Sequence, residues 1–294
     1  MVRRQSTAKL GSLLRKSGLA NSARTRLWSL VFHFEDMMAL KRQRRLVQRL
    51  GSIVTVPLLD YELVLNVGDS IHDLMMFESM TNGRHYEHET TLLLMENLQG
   101  GNFFVDVGAN NGYYSLLASS LVGREGRVFS FEPNPSSFRR LLNNLSYNKV
   151  TNVTPFNLAL SDAQEVVPLY LNRFEDGQSS MVRSAKTSVP VPTIRLDDVV
   201  SGRLPDLVKI DVEGAELKVL AGMANTLSSQ KSLRCIVEWG RDNPMSQALW
   251  KMLTQHFEVY LIDEAESGQK VRLSPVLSID ELPGLCNLWC VGYK

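Results

Sequence analysis

The chain has 294 residues, 44% of them hydrophobic, and a net charge of +1 that conceals a split. Residues 1–50 carry 12 Lys/Arg against only Glu35 and Asp36, while the rest carries 20 Lys/Arg against 29 Asp/Glu, so a basic arm precedes an acidic body. No apolar run reaches the roughly 18–20 residues of a membrane span, the three cysteines are too scattered for a disulfide framework or a paired metal site, and an acidic body without a basic, aromatic-interleaved face argues against a nucleic-acid partner.

The arm leaves three readings open. It is a solvated extension, or a surface anchor in which LWSLVFHF (27–34) among flanking arginines makes peripheral membrane contact on anionic lipid, or an organellar transit segment, since residues 1–34 are Arg/Ser-rich without an acid. With reduced cysteines and no span, a cytoplasmic location is expected, peripheral to a membrane if the second reading holds. The length is enough for a single domain over 51–294.

From residue 51 to 100 the pattern is that of a small cap. SIVTVPLLDYELVLNV (52–67) alternates as a strand pair interrupted at Pro57 and Asp60. IHDLMMFESM (71–80) and YEHETTLLLMENL (86–98) have helical apolar spacing. A strand–helix alternation then begins. FFVDV (103–107), RVFSFE (127–132), VTPFNLAL (153–160), DLVKIDV (206–212) and RCIVEW (234–239) are short and largely apolar, as strands covered on both faces are.

Helical patterns follow at 113–121, 135–148, 215–227 and 245–256, and residues 165–192 read as an inserted hairpin around the polar loop NRFEDGQSS. FEVYLID (257–263) and NLWCVGY (287–293) close the chain as strands with no helix between them. The expected fold is α/β: a Rossmann-like, doubly wound sheet, mostly parallel, with an antiparallel C-terminal hairpin.

In such sheets ligands collect beyond the carboxyl ends of the strands where the strand order reverses. The stretch DVGANNGYYS (106–115) supplies that turn, with Gly108 and Gly112 allowing a close approach of backbone to ligand. The spacing is G-x-x-x-G, so the pyrophosphate fingerprint G-x-G-x-x-G is absent. Asp106 would repel a pyrophosphate but suits the ammonium and sulfonium of S-adenosylmethionine, whose carboxylate the amides of 108–112 could take. Glu132 ends the second strand, where an acid accepts from both ribose hydroxyls. KIDVEGAE (209–216) gathers Asp211, Glu213 and Glu216 at the end of the fourth strand, an acid cluster for which a nicotinamide enzyme has no need.

DVGANNGYYS, FSFEPNP, TIRLDDVV, VKIDVEGAE and IVEW together resemble the FkbM-type family of S-adenosylmethionine-dependent methyltransferases over residues 50–294. The resemblance implies a class I methyltransferase fold and O-methylation of a hydroxyl on a sugar, glycan, glycolipid or related small molecule. It implies that Asp106, Gly108, Ala109, Asn110 and Gly112 bind the methionine moiety, Glu132 the ribose, and Ala159 and Leu160 the adenine.

A sugar hydroxyl needs a general base. Asp211 is the first candidate, Glu238 at the end of the fifth strand the second, and Glu213 orients the acceptor or, with Asp211, caps the following helix. Of Tyr113 and Tyr114, one belongs to the core and one to the site wall. Strand alternation is taken to turn Lys209 away from the cleft, and no metal is expected, since His85 and His88 lack a third ligand. Two alternatives stand beside the methyltransferase: an NAD(P)-linked oxidoreductase on the same fold, and a non-catalytic binding module.

Overall fold

In the computed structural model the structure describes residues 41–171, 180–181, 187–263 and 271–293; the segment read as an anchor or transit sequence and most of the insertion's polar loop lie outside them. A helix at 41–50 (α1) exposes Lys41, Arg42, Arg44, Arg45 and Arg49, and its Gln43 side chain donates to the Gly68 carbonyl at 3.1 Å. No helix among the described residues is long and apolar enough to cross a membrane.

The cap is the expected hairpin, β1 (Ile53–Leu58) and β2 (Tyr61–Asn66), followed by α2 (Ile71–Thr81) and α3 (His88–Asn97). The alternation then runs β3 (Phe103–Val107), α4 (Tyr113–Val122), β4 (Arg127–Phe131), α5 (Pro135–Tyr147) and β5 (Val153–Phe156). Next come β6 (Ala159–Leu160), β7 (Val166–Tyr170), β8 (Ser188–Ile194), α6 (Leu196–Val199) and β9 (Leu207–Ile210). The chain ends with α7 (Glu216–Ala221), α8 (Ala224–Ser229), β10 (Arg234–Gly240), α9 (Ser246–His256), β11 (Phe257–Asp263), β12 (Arg272–Pro275) and β13 (Leu285–Gly292).

The main sheet has the order β12-β11-β13-β10-β9-β3-β4-β5. Neighbours from β10 through β5 are parallel, and β13 is antiparallel to both β10 and β11. The order reverses between β3 and β9, so the cleft belongs at their carboxyl ends. Burial follows: all of Phe103–Val107 and Leu207–Ile210 are buried. One apolar layer, with Val219, Leu220, Leu249 and Leu253, covers one face; the cap and α4–α5, through Leu63, Leu65, Leu94 and Leu141, cover the other.

Three expectations are corrected. VTPFNLAL is not one strand: the Asn157 side chain donates to the Glu132 carbonyl at 2.9 Å and bends the chain, so β5 stays in the main sheet while β6 pairs with β8 in a separate sheet with β7. The pattern 215–227 breaks into α7 and α8 because a Cβ on Gly222 would lie 1.9 Å from the Ser161 carbonyl, and Asp197 draws off the amides of Asn225 and Thr226. The last two long strands are antiparallel neighbours, but β13 is inserted between β10 and β11 and the unforeseen β12 forms the edge.

The cap is fastened to the sheet layer by side-chain amides that imitate a β-ladder. Asn144 on α5 accepts from Val64 N–H at 2.7 Å and donates to Val64 O and Asn111 O; Asn148, one turn on, accepts from Glu62 N–H and donates to Glu62 O. Asn144 is buried and Asn148 half-buried, so the two should differ on removal. Asn144→Ala is expected to cost about 2–3 kcal/mol, because it strands buried backbone groups, and Asn148→Ala about 1 kcal/mol, because water replaces the amide. Urea unfolding followed by circular dichroism checks the ranking; equal losses would contradict it.

Candidate active site

The turn after β3 folds back onto β4. Gly108 has φ 87° and its amide donates to the Phe131 carbonyl at 2.9 Å; Ala109 N–H reaches the same carbonyl at 3.0 Å. Asn110, itself left-handed at φ 49°, donates its N–H to Glu132 Oε2 at 2.8 Å, and Gly112 N–H goes to the Ala109 carbonyl. Four amides of 108–112 are therefore committed within the protein, which corrects their expected use for a ligand carboxylate. Gly112 holds φ 91°, a backbone conformation that other residues rarely adopt.

Glu132 is held from two sides, by Asn110 N–H on Oε2 and Asn134 N–H on Oε1, each at 2.8 Å. Each oxygen keeps a second lone pair to offer. Burial pushes the carboxyl up to about 7, against the pull of those two amides and of Arg140. Asp106 sits deeper, 1% exposed, and its Oδ2 accepts from Ser115 at 2.6 Å. Its Oδ1 is buried with no hydrogen-bond partner among the described residues, and burial raises the carboxyl to about 6 although Lys209 opposes the shift.

Beyond β9, Asp211 and Glu213 reach the cleft. Glu213 has φ 54° and is followed by Gly214 at φ 111°; the Glu213 carbonyl accepts from Ser180 at 2.6 Å. In the turn before α7, Glu216 takes the Gly214 N–H at 2.8 Å. Glu238 lies on the adjacent strand, and one carboxylate oxygen from each of Asp211, Glu213 and Glu238 falls within 4.8 Å of the others.

Lys209 does not turn away. Residues two apart on a strand share a face, and the buried Nζ lies 2.9 Å from Asp211 Oδ2 and 4.6 Å from the centre of the Tyr114 ring. Tyr114 stands beside this pair and donates its hydroxyl to Glu87 at 2.8 Å, and Tyr113 meets Thr91 through its hydroxyl; both are buried and neither lines the cleft.

A cleft of about 520 Å³, counted to its open mouth, joins these parts. Of the expected residues, Gly108, Asn110, Glu132, Ala159, Leu160, Asp211 and Glu213 line it, whereas Asp106, Ala109, Gly112 and Tyr113 lie behind the wall and Glu238 stands beside Asp211. The sequence reading missed Leu169 and Met181, which the β7–β8 insertion contributes, and Phe131 and Pro133, which flank Glu132 and were legible from it.

S-adenosylmethionine fits this cleft. An acid with spare lone pairs stands at the end of β4, as a ribose requires. The apolar end at Ala159, Leu160 and Leu169 matches a flat base.

The comparisons agree in kind. The chain is 35% identical over 146 residues to the hexuronic acid methyltransferase AglP of Haloferax volcanii, covering 49% of this chain and 59% of that protein. It is 30% identical over 162 residues to methyltransferase sdnD of Sordaria araneosa, covering 43% and 62%. The matched stretch thus spans about three-fifths of each relative's length. Among solved structures, an rRNA methylase from Streptococcus thermophilus aligns at 11% identity and TM-score 0.44 over 70% of this chain and 96% of that one; an S-adenosylmethionine-dependent O-methyltransferase from Thermotoga maritima aligns at 14% and 0.40 over 71% and 66%. The methyltransferase FkbM domain matches residues 106–266, more than half of the chain, from the buried aspartate of β3 through the acids of β9 and β10. The chain belongs to that family, and S-adenosylmethionine is its methyl donor.

Proposed function

We propose that this methyltransferase acts on a hydroxyl of a sugar, glycan, glycolipid or related metabolite. The observation that carries the reading is the convergence of Asp211, Glu213 and Glu238 within 4.8 Å, two of them lining the same cleft as Glu132. A ribose-binding acid and a group of acids around one cleft would set donor and acceptor on either side of the transferred methyl. The name of the 35%-identical relative, a hexuronic acid methyltransferase, supports a sugar acceptor. Family membership sets aside the nicotinamide oxidoreductase.

The bound donor supplies an electrophilic methyl on a sulfonium, a good leaving group. The chain's task is alignment, exclusion of water and removal of one proton. Asp211 takes the acceptor's proton, Glu213 and Glu238 orient the hydroxyl, and Glu132 accepts from the ribose hydroxyls. Ala159 and Leu160 hold adenine on the apolar wall.

Labelling tests the acceptor class. Incubating the protein with methyl-labelled S-adenosylmethionine and a panel of uronic-acid and neutral-sugar glycosides should give a labelled ether detectable by mass spectrometry. Label on no hydroxyl compound, but on an amine or carbon acid from a cell extract, would overturn the O-methyl reading; donor binding without any product would favour the binding module. Turnover should survive EDTA, and loss restored by Mg²⁺ would reassign the three acids.

Asp211→Asn should lower turnover about 10²–10⁴-fold while changing donor affinity little; full activity would place the base elsewhere. Glu132→Gln should weaken donor binding about 10–100-fold by calorimetry, since two hydroxyls lose their charged acceptor. The wild-type affinity has its own pH signature. Ribose hydroxyls favour the ionised form, whose carboxyl in the free protein titrates near 7, so affinity is full above that pH and falls below it, approaching tenfold per unit. A flat profile between pH 5.5 and 8 would remove Glu132 from the site.

A further inference from the structure

The family reading uses the acids of the cleft but not the buried cation among them. Lys209 is 2% exposed, in the middle of a four-residue strand that is buried throughout. A lysine is almost never fully buried unless paired, and this one has a definite surrounding. Its Nζ is 2.9 Å from Asp211 Oδ2 and lies over the Tyr114 ring. Asp106 is its lateral neighbour on β3, in register with it, and carries a buried oxygen without a hydrogen-bond partner among the described residues. Tyr114, under the ammonium, is tied in turn to Glu87 at the start of α3.

We propose that Lys209 is a positioning residue for methyl transfer, one that fixes the Asp211 carboxylate at the cleft and keeps Asp106 and Asp211 anionic at the same time. The proposal rests on Asp211 being the proton acceptor. A base must be ionised before it can take a proton, and Asp211 stands in a group of like charges. Glu213 and Glu238 lie within 4.8 Å of it. Asp106 faces the same lysine from β3, Glu87 from the cap, and Glu216 interacts with Asp211 from α7. Carboxylates crowded in this way drive one another towards the protonated form.

The opposing cations are Lys209, which bonds Asp211 directly, and Arg140 on α5, which acts on Glu132; His72 on α2 also faces Asp211, but burial lowers its proton affinity and favours the neutral ring. Burial alone would depress the lysine too. The facing carboxylates Asp211, Glu87 and Asp106 outweigh it and hold the ammonium charged.

The direct readout is titration of the aspartate side chains, with no ligand present. In protein carrying ¹³C in its aspartate carboxyls, with Asp106 and Asp211 assigned through Asp106→Asn and Asp211→Asn, both should be ionised at pH 7.5. In Lys209→Met one of the two should titrate about 1–3 pH units higher, and the acid limb of turnover on the labelled glycoside should move up with it, so that activity lost at neutral pH returns in alkali. Lys209→Arg should keep the wild-type limb. Lys209→Met with Asp106→Asn removes a charge of each sign and should bring the limb back towards wild type. A lysine that merely packs would move none of these.

Unshifted carboxyl signals in Lys209→Met, or either aspartate protonated at pH 7.5 in the wild type, overturn the proposal, and the wild-type measurement decides even if the single variant fails to fold. The two readings fail separately. Full turnover in Asp211→Asn removes the base while the carboxyl shift can still appear, whereas lost turnover with no shift removes Lys209 alone.

Discussion

Two backbone turns touch at the point where the sheet reverses its strand order. A Cβ on Gly108 would lie 1.9 Å from the Asp211 carbonyl, nearer than any packed side chain can come, and the Asp211 amide itself donates to Val107 O at 3.0 Å. Gly108 also holds φ 87°, where other residues are strained by about 1–3 kcal/mol. Because these turns are in contact, Asp211 is delivered to the edge of the same cleft whose floor Asn110 and Glu132 form. Main-chain packing thereby brings Gly108 and Asp211 to the lining of one cleft.

Around that contact the structure carries an unusual amount of buried charge. Asp106 and Glu132 both lie under 10% exposed and both titrate near neutrality because burial disfavours their anions. Such groups lower stability wherever they are ionised. The apolar layers on both faces of the sheet offset the cost. Asp106 lies behind the cleft wall in register with Lys209, while Glu132 lines the cleft itself.

Legibility in the sequence followed the range of the interactions. β3, β4, β9 and β10 were readable because a short apolar run ending in an acid is a local pattern, and the cap hairpin because Leu59 and Asp60 make a two-residue turn between alternating strands. The bend at Asn157, the helix break at Gly222 and the insertion of β13 depend on partners 25 or more residues away, Glu132, Ser161 and β10, and leave no local trace. Lys209 was misread although the period of two already put it beside Asp211. The glycine turn was read correctly as a tight approach, but towards a ligand, when its amides serve Phe131 and Glu132.

The cap lies outside the stretch that defines the family, yet it is bonded into the site from several directions. Asp73 accepts from Asn111 in the glycine turn, Thr91 meets Tyr113, Glu87 takes the Tyr114 hydroxyl, and Thr90 accepts from Asn287, the cross-strand neighbour of Glu238. Asn111 is one residue from the cleft-lining Asn110, and Asn287 stands opposite Glu238. Residues 106–266 carry both Glu132 and the three converging acids, and the cap packs against Asn287 beside Glu238. The cap thus touches both the turn that holds Glu132, through Asp73 and Asn111, and the strand beside Glu238, through Thr90 and Asn287.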